Sequence, residues 1–137
     1  AALLVTAIPA VRHLREQAPS PPAAIRVSWT APAGLAIGGG PDFPFGLALA
    51  TDGRRAAFPA AREGRVELWL QDLRTGAADV VPNTEGAVAP FWSPDGASIG
   101  FFAGGWLKAI TLSDARITDL AHVERPRGAA WGPSGIV

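Results

Sequence analysis

From Arg65 to Gln71 (RVELWLQ) apolar and polar residues alternate, the period-2 pattern of a strand with one face buried and one wet. From Ile99 to Ala103 (IGFFA) the run is nearly all apolar, as in a strand covered on both faces by neighbouring layers. Short runs of this kind recur between clusters of Gly, Pro, Asp and Ser. In the most regular stretch Ala89 to Trp92 reads as a strand and Ser93-Pro94-Asp95-Gly96 as a turn. Ser at its first position accepts backbone bonds, Pro fixes φ at the second, and Gly takes the positive φ that closes it. Ala97 to Phe102 is then a second strand, Gly104-Gly105 a hairpin, Trp106 to Leu112 a third strand, Ser113-Asp114 a turn and Arg116 to Leu120 a fourth. Upstream the order is the same: Leu47 to Ala50, the turn at Asp52-Gly53, Arg54 to Phe58, Arg65 to Leu73, Thr75-Gly76, and Ala78 to Val81.

The two stretches are copies. Phe45 to Phe58 (FGLALATDGRRAAF) superimposes without a gap on Val88 to Phe101 (VAPFWSPDGASIGF), 43 residues later. A third copy begins at Gly128 to Ile136 (GAAWGPSGI), 39 residues after the second, with Pro133 and Gly135 in the turn positions. The second halves also align at 39, and the four-residue difference falls in one hairpin loop, Ala60 to Arg65 against Ala103 to Gly105. A period of about 40–45 residues with four strands per unit is that of a β-propeller blade. The expected fold is therefore all-β: two four-stranded antiparallel blades (about 45–85 and 86–125) and the start of a third (126–137). Phe58, Trp69, Trp92, Phe101 and Trp131 are the expected blade core. A buried Trp removes up to about 200 Å² from water, worth several kcal/mol at roughly 25 cal/mol/Å².

Ahead of the repeats, Ala1 to Val11 (AALLVTAIPAV) carries no charge, and Arg12, His13 and Arg15 follow it. Three readings compete for it: the tail of a transmembrane helix, a short helix packed on the domain, or the core of a signal peptide. Eleven residues fall short of the roughly 20 that span a bilayer, and no basic region precedes them. Residues 1–17 are expected to be an apolar, juxtamembrane segment with a short N-terminal helix, the end of a transmembrane helix being the first of these readings, and 18–24 (APSPPAA) a Pro-rich linker. The partial propeller takes 25–137. Ile25 to Trp29 alternates like a strand, and Ala31 to Pro44 reads as a loop.

Composition narrows the chemistry. Twelve basic residues balance twelve acidic ones, which argues against a nucleic-acid partner. There is no Cys, so disulfides, thiolate catalysis and Cys-based metal sites are excluded together. Sixteen Gly and 13 Pro suit many short strands joined by tight turns. The absence of Met and an end within a strand-like Gly135-Ile136-Val137 read as an internal fragment. His13 and His122 have no carboxylate or nucleophile placed with them, and Ser93 and Ser134 lie outside any Gly-x-Ser-x-Gly elbow. Asp52 and Asp95 fall in matching turns, where they could line a common face, although turn geometry alone accounts for them. No catalytic, cofactor or metal site is expected.

At Phe91-Trp92-Ser93-Pro94-Asp95-Gly96 the chain resembles the TolB-type (WD-repeat-like) propeller repeats. It is similar above all to the propeller region of bacterial membrane-anchored serine/threonine protein kinases. Arg12 to Glu16 after an apolar stretch, Leu68 to Leu73, Thr84-Glu85-Gly86, and Ile99 to Lys108 carry that likeness. The first copy departs with Ala50-Thr51-Asp52-Gly53 and the third with Gly132-Pro133-Ser134-Gly135. No Gly-rich loop with a catalytic Lys, no His-Arg-Asp and no Asp-Phe-Gly is present. The resemblance implies a non-catalytic, extracytoplasmic sensor that takes a ligand or protein at the propeller face and is held to the membrane by its N-terminal helix. A soluble periplasmic TolB-like propeller and the gating propeller of a serine peptidase are the alternatives.

Overall fold

The computed structural model describes residues 29–38 and 46–137. The apolar segment, the linker and the strand pattern from Ile25 to Ser28 lie outside the described residues. Among those described, eleven strands form three antiparallel sheets and no helix occurs. The first sheet joins β1 (Ala36–Ile37), β2 (Ala48–Leu49), β3 (Arg55–Arg62), β4 (Arg65–Asp72) and β5 (Ala78–Val80). The second runs in chain order through β6 (Val88–Trp92), β7 (Ser98–Ala103), β8 (Trp106–Thr111) and β9 (Arg116–His122). The third is a hairpin of β10 (Trp131–Gly132) and β11 (Gly135–Ile136).

The four-residue difference between copies is not a longer loop. Both hairpins turn on two residues with positive φ, Glu63-Gly64 and Gly104-Gly105, the mirror-image turn that matches strand twist. The extra residues instead add two rungs to the ladder: pairing closes at Arg62↔Arg65 in the first sheet and at Ala103↔Trp106 in the second. Two residues per strand leave every side chain on its own face, so the insertion does not disturb the core. The added length has a use. β1, inside the stretch expected to be a loop, pairs where the extension begins, at Ala36↔Ala61 and Ile37↔Ala60. It lies on the same edge of β3 as β2, which pairs at Ala48↔Ala57 and Leu49↔Ala56.

The two large sheets pack face to face. Ala57, Leu68 and Val81 from the first repeat meet Ala87, Trp92, Ile99, Phe101 and Ile110 from the second. Full burial of Leu68, Ile99, Phe101 and Ile110 contributes about 1.5–3 kcal/mol apiece. The chain between the sheets is fixed by Thr84, whose hydroxyl donates to the Val81 carbonyl (2.6 Å) and accepts from the Leu68 N–H (3.0 Å). On the other face of the first sheet Phe58, Ala60 and Trp69 are covered by Trp29, Leu35, Ile37 and Leu47. There Gln71 stands where the second repeat has Ile110, and its Oε1 accepts a bond from the Trp29 indole at 2.6 Å. Trp29 also meets Phe58 edge-on, with centroids 5.1 Å apart. Beyond the second sheet, Phe91 lies flat over Gly100, where an added Cβ would sit 2.3 Å from its ring, and meets Trp131 edge-on at 6.3 Å.

Candidate functional site

The residues with the most chemistry gather at one end of the sheets, where the first strand of each repeat turns into the second. In the second repeat the Gly96 N–H donates to the Ser93 carbonyl (2.9 Å) and the Ser93 N–H to the Ser98 carbonyl (3.0 Å). The Ser93 hydroxyl donates to Asp95 Oδ1 (2.6 Å) and accepts from the Ser98 N–H (2.9 Å). Asp95 Oδ1 accepts a further bond from the Ala97 N–H at 3.0 Å. The Ser93 hydroxyl and that N–H hold the Asp95 carboxyl below its ordinary pKa, because both stabilise the anion. The first repeat keeps the backbone of this turn, with Gly53 N–H on the Ala50 carbonyl and Ala50 N–H on the Arg55 carbonyl, both at 2.9 Å. Ala50 lacks the hydroxyl, so Asp52 Oδ1 accepts only from the Arg54 N–H (2.9 Å). The third copy is tighter. Trp131 pairs with Ile136 five residues on, where Trp92 pairs with Ile99 seven residues on, so its turn is a short hairpin and departs from the expected shared shape.

The structure brings the first two turns into one joint. Arg55 Nη2 donates to the Gly96 carbonyl at 3.0 Å, its guanidinium lies 4.8 Å from the centre of the Trp92 ring, and Asp52 Oδ2 is 3.7 Å away. The Thr51 hydroxyl reaches the Pro94 carbonyl at 3.4 Å, and the Trp92 indole donates to the Ala48 carbonyl at 2.9 Å. Asp52 and Asp95 thus lie at the same end of adjoining sheets. Of the other expected core residues, Phe58, Trp69 and Phe101 are buried, while Trp131 is half-buried. Arg62 stacks over Trp69 at 4.1 Å. His122 closes β9, exposed, with its ring edge-on to Trp106 at 5.3 Å.

Arg55 and Thr51 escaped the sequence reading, which weighed each repeat by its motif and not by what one copy offers the next. The signal was present: 43 residues on, these positions are Ser98 and Pro94. A second pair of turns, Asp72 with Thr75-Gly76 and Asp114 with Arg116, lies between the outer strands. Asp72 Oδ1 accepts from the Arg74 and Thr75 N–H groups, both at 2.8 Å, and the Thr75 and Arg74 bonds lower its pKa. Among the described residues no three His, Cys, Asp or Glu side chains gather to hold a metal.

Neither a family model nor a curated protein matches the chain. Solved structures do. TolB from Acinetobacter baumannii is similar over 66% of this chain at 27% identity, with a TM-score of 0.60. The fold is that of a β-propeller. The β-propeller domain of the Trilobed protease from Pyrococcus furiosus matches over 66% of the chain at 16% identity and a TM-score of 0.54. An acylaminoacyl peptidase from Pyrococcus horikoshii matches over 66% at 15% identity and 0.52. The chain spans 24%, 31% and 16% of those structures respectively. It is a propeller module similar to TolB-type propellers, and its two large sheets are consecutive blades.

Proposed function

We propose that this module is a non-catalytic, protein-binding propeller, and that it serves as the extracytoplasmic sensor of a membrane-anchored serine/threonine protein kinase. The observation that carries the binding role is the turn end: adjoining turns present two carboxylates and a cation held over an indole at one end of the sheets. Propellers offer such a surface from every blade, and binding is built on it by side-chain variation with the sheets unchanged. The similarity to TolB supports a periplasmic setting. The kinase rests on the resemblance of Arg12 to Glu16, Leu68 to Leu73 and Ile99 to Lys108. A second reading, the propeller of a serine peptidase, is favoured by the structural likeness to a protease propeller domain and an acylaminoacyl peptidase.

The reading frame on either side decides between them. The kinase reading expects upstream a Gly-rich loop with a following Lys, His-Arg-Asp and Asp-Phe-Gly, then a membrane helix. A downstream Gly-x-Ser-x-Gly elbow with its Asp and His overturns it in favour of the peptidase.

A further inference from the structure

We infer that the notch between the second and third turns is a binding site for a guanidinium group, supplied as an arginine side chain of a partner polypeptide. The molecule carries its own template for such a site one joint earlier. There a guanidinium, that of Arg55, lies 4.8 Å from the Trp92 ring centre and 3.7 Å from Asp52 Oδ2. At the next joint Trp131 takes the place of Trp92 and Asp95 that of Asp52, while Ser98 takes the place of Arg55. What remains is a notch of about 310 Å³ whose walls include Asp95, Ser98, Trp131 and Pro133.

Each wall suits a planar cation. Asp95 is fixed through Oδ1, which the Ser93 hydroxyl and the Ala97 N–H occupy, and among the described residues no other residue donates to its Oδ2. That is the same atom with which Asp52 faces Arg55. Trp131 is half-buried, pinned by Phe91 at 6.3 Å. The face of an indole attracts a cation, and a guanidinium can stack on it while donating sideways to a carboxylate. Ser98 lines the notch with a short side chain where Arg55 has a guanidinium, and its backbone N–H and carbonyl are engaged with Ser93. The volume accommodates a guanidinium with part of its aliphatic stem, and no more than that is needed for an arginine presented from a loop. The inference takes from the protein-binding reading only the identity of the partner, so the flanking reading frame and the titration below fail independently.

The test is a titration of the ¹⁵N-labelled chain with N-acetylarginine methylamide, followed at the Trp131 indole N–H. A saturable shift with an affinity in the millimolar range is expected, as for one charged contact on one aromatic face. N-acetylcitrulline methylamide, which keeps the shape and loses the charge, should bind about tenfold more weakly, and the lysine analogue should fall between them. Asp95→Asn keeps the acceptor for Ser93 and Ala97 and should weaken arginine binding by a similar factor. Ser98→Arg should fill the notch from within and abolish the shift. Arg55→Ser should open the equivalent site, so that the Trp92 indole responds as well. No saturable shift below about 20 mM overturns the site, given that arginine binding is expected near 1 mM. Equal binding of citrulline, stronger binding of lysine, or an unchanged affinity in Asp95→Asn or Ser98→Arg overturns it too.

Discussion

The joint between the first and second sheets and the joint between the second and third are built on the same repeat, yet they are closed in different ways. The first is tied at its end by Arg55 and Thr51, which reach the Gly96 and Pro94 carbonyls, and in its depth by the Trp92 indole on the Ala48 carbonyl. The second has Ser98 and Pro94 at those positions, and among the described residues no hydrogen bond runs from either to the third copy. Ser98 completes its own turn through Ser93, and Pro94 has no donor. The second turn is correspondingly better bonded within itself, and the first better bonded to its neighbour. Within one repeat grammar, the choice of residue at two turn positions decides whether a blade fastens to the next or leaves a surface open. That is how a propeller divides its turns between cohesion and recognition.

The comparison can be broken most severely in its depth. Trp92→Ala should cost about 3–5 kcal/mol of unfolding free energy, because it empties the middle of the interface and removes the indole bond to the Ala48 carbonyl. Trp131→Ala should cost less than half as much, since that ring is incompletely buried and does not belong to the core cluster that holds Trp92. Thermal or urea unfolding of the pair reads the difference, and equal losses would remove the distinction between the joints. Gly100→Ala attacks the second joint alone. Its Cβ would collide with the Phe91 ring that carries Trp131, for an expected loss of about 1–3 kcal/mol.

Smaller changes sharpen the contrast at the surface. Arg55→Ser should destabilise by about 1–2 kcal/mol, from a charge-assisted hydrogen bond and a partly exposed cation–π contact. Its discount for solvent is real: the ion pair with Asp52 is one-third to nearly one-half exposed and adds little. Ser93→Ala makes the second turn like the first and should cost about 1 kcal/mol near neutral pH. It should also flatten the acid limb of the stability profile. Asp95 is held below the ordinary carboxylate value in the folded chain, so its contribution is present above the unfolded pKa of about 3.9 and is lost as pH falls through the lower folded value. Without the hydroxyl the two values draw together, and a smaller loss on acidification is expected. Asp72, held low by the N–H groups of Thr75 and Arg74, should keep its own share of the acid limb in that variant.

Much of the architecture was legible in the sequence because it is repeated. The offsets of 43 and 39 locate the sheets, and turn residues that permit only a few backbone shapes bound the strands to within a few residues. What escaped was whatever differs between copies. The hairpin insertion looked like a loop because Ala60 to Arg65 carries charge and a Gly, while the paired Arg62↔Arg65, both exposed, shows that an outer rung tolerates such residues. β1 is two residues long in a stretch rich in Gly and Pro, too short for any period to register. The candidate site was legible in half: Asp52 and Asp95 were placed in matching turns, but the partners across the joint belong to different repeats and come together only in three dimensions. Gln71 shows the same limit. Its polar side chain on a buried face is held by the Gly76 carbonyl, five residues on, and by the Trp29 indole, 42 residues away, and the second partner comes near only in three dimensions.

A double-mutant cycle on Arg55→Gln and Trp92→Leu, read by urea unfolding, bears most directly on the claim that these two residues from successive blades form one clamp. The account predicts a coupling of about 0.5–1 kcal/mol, the two changes together costing less than their sum. Losses that add within about 0.3 kcal/mol would contradict it, leaving Arg55 a surface residue and the two joints alike.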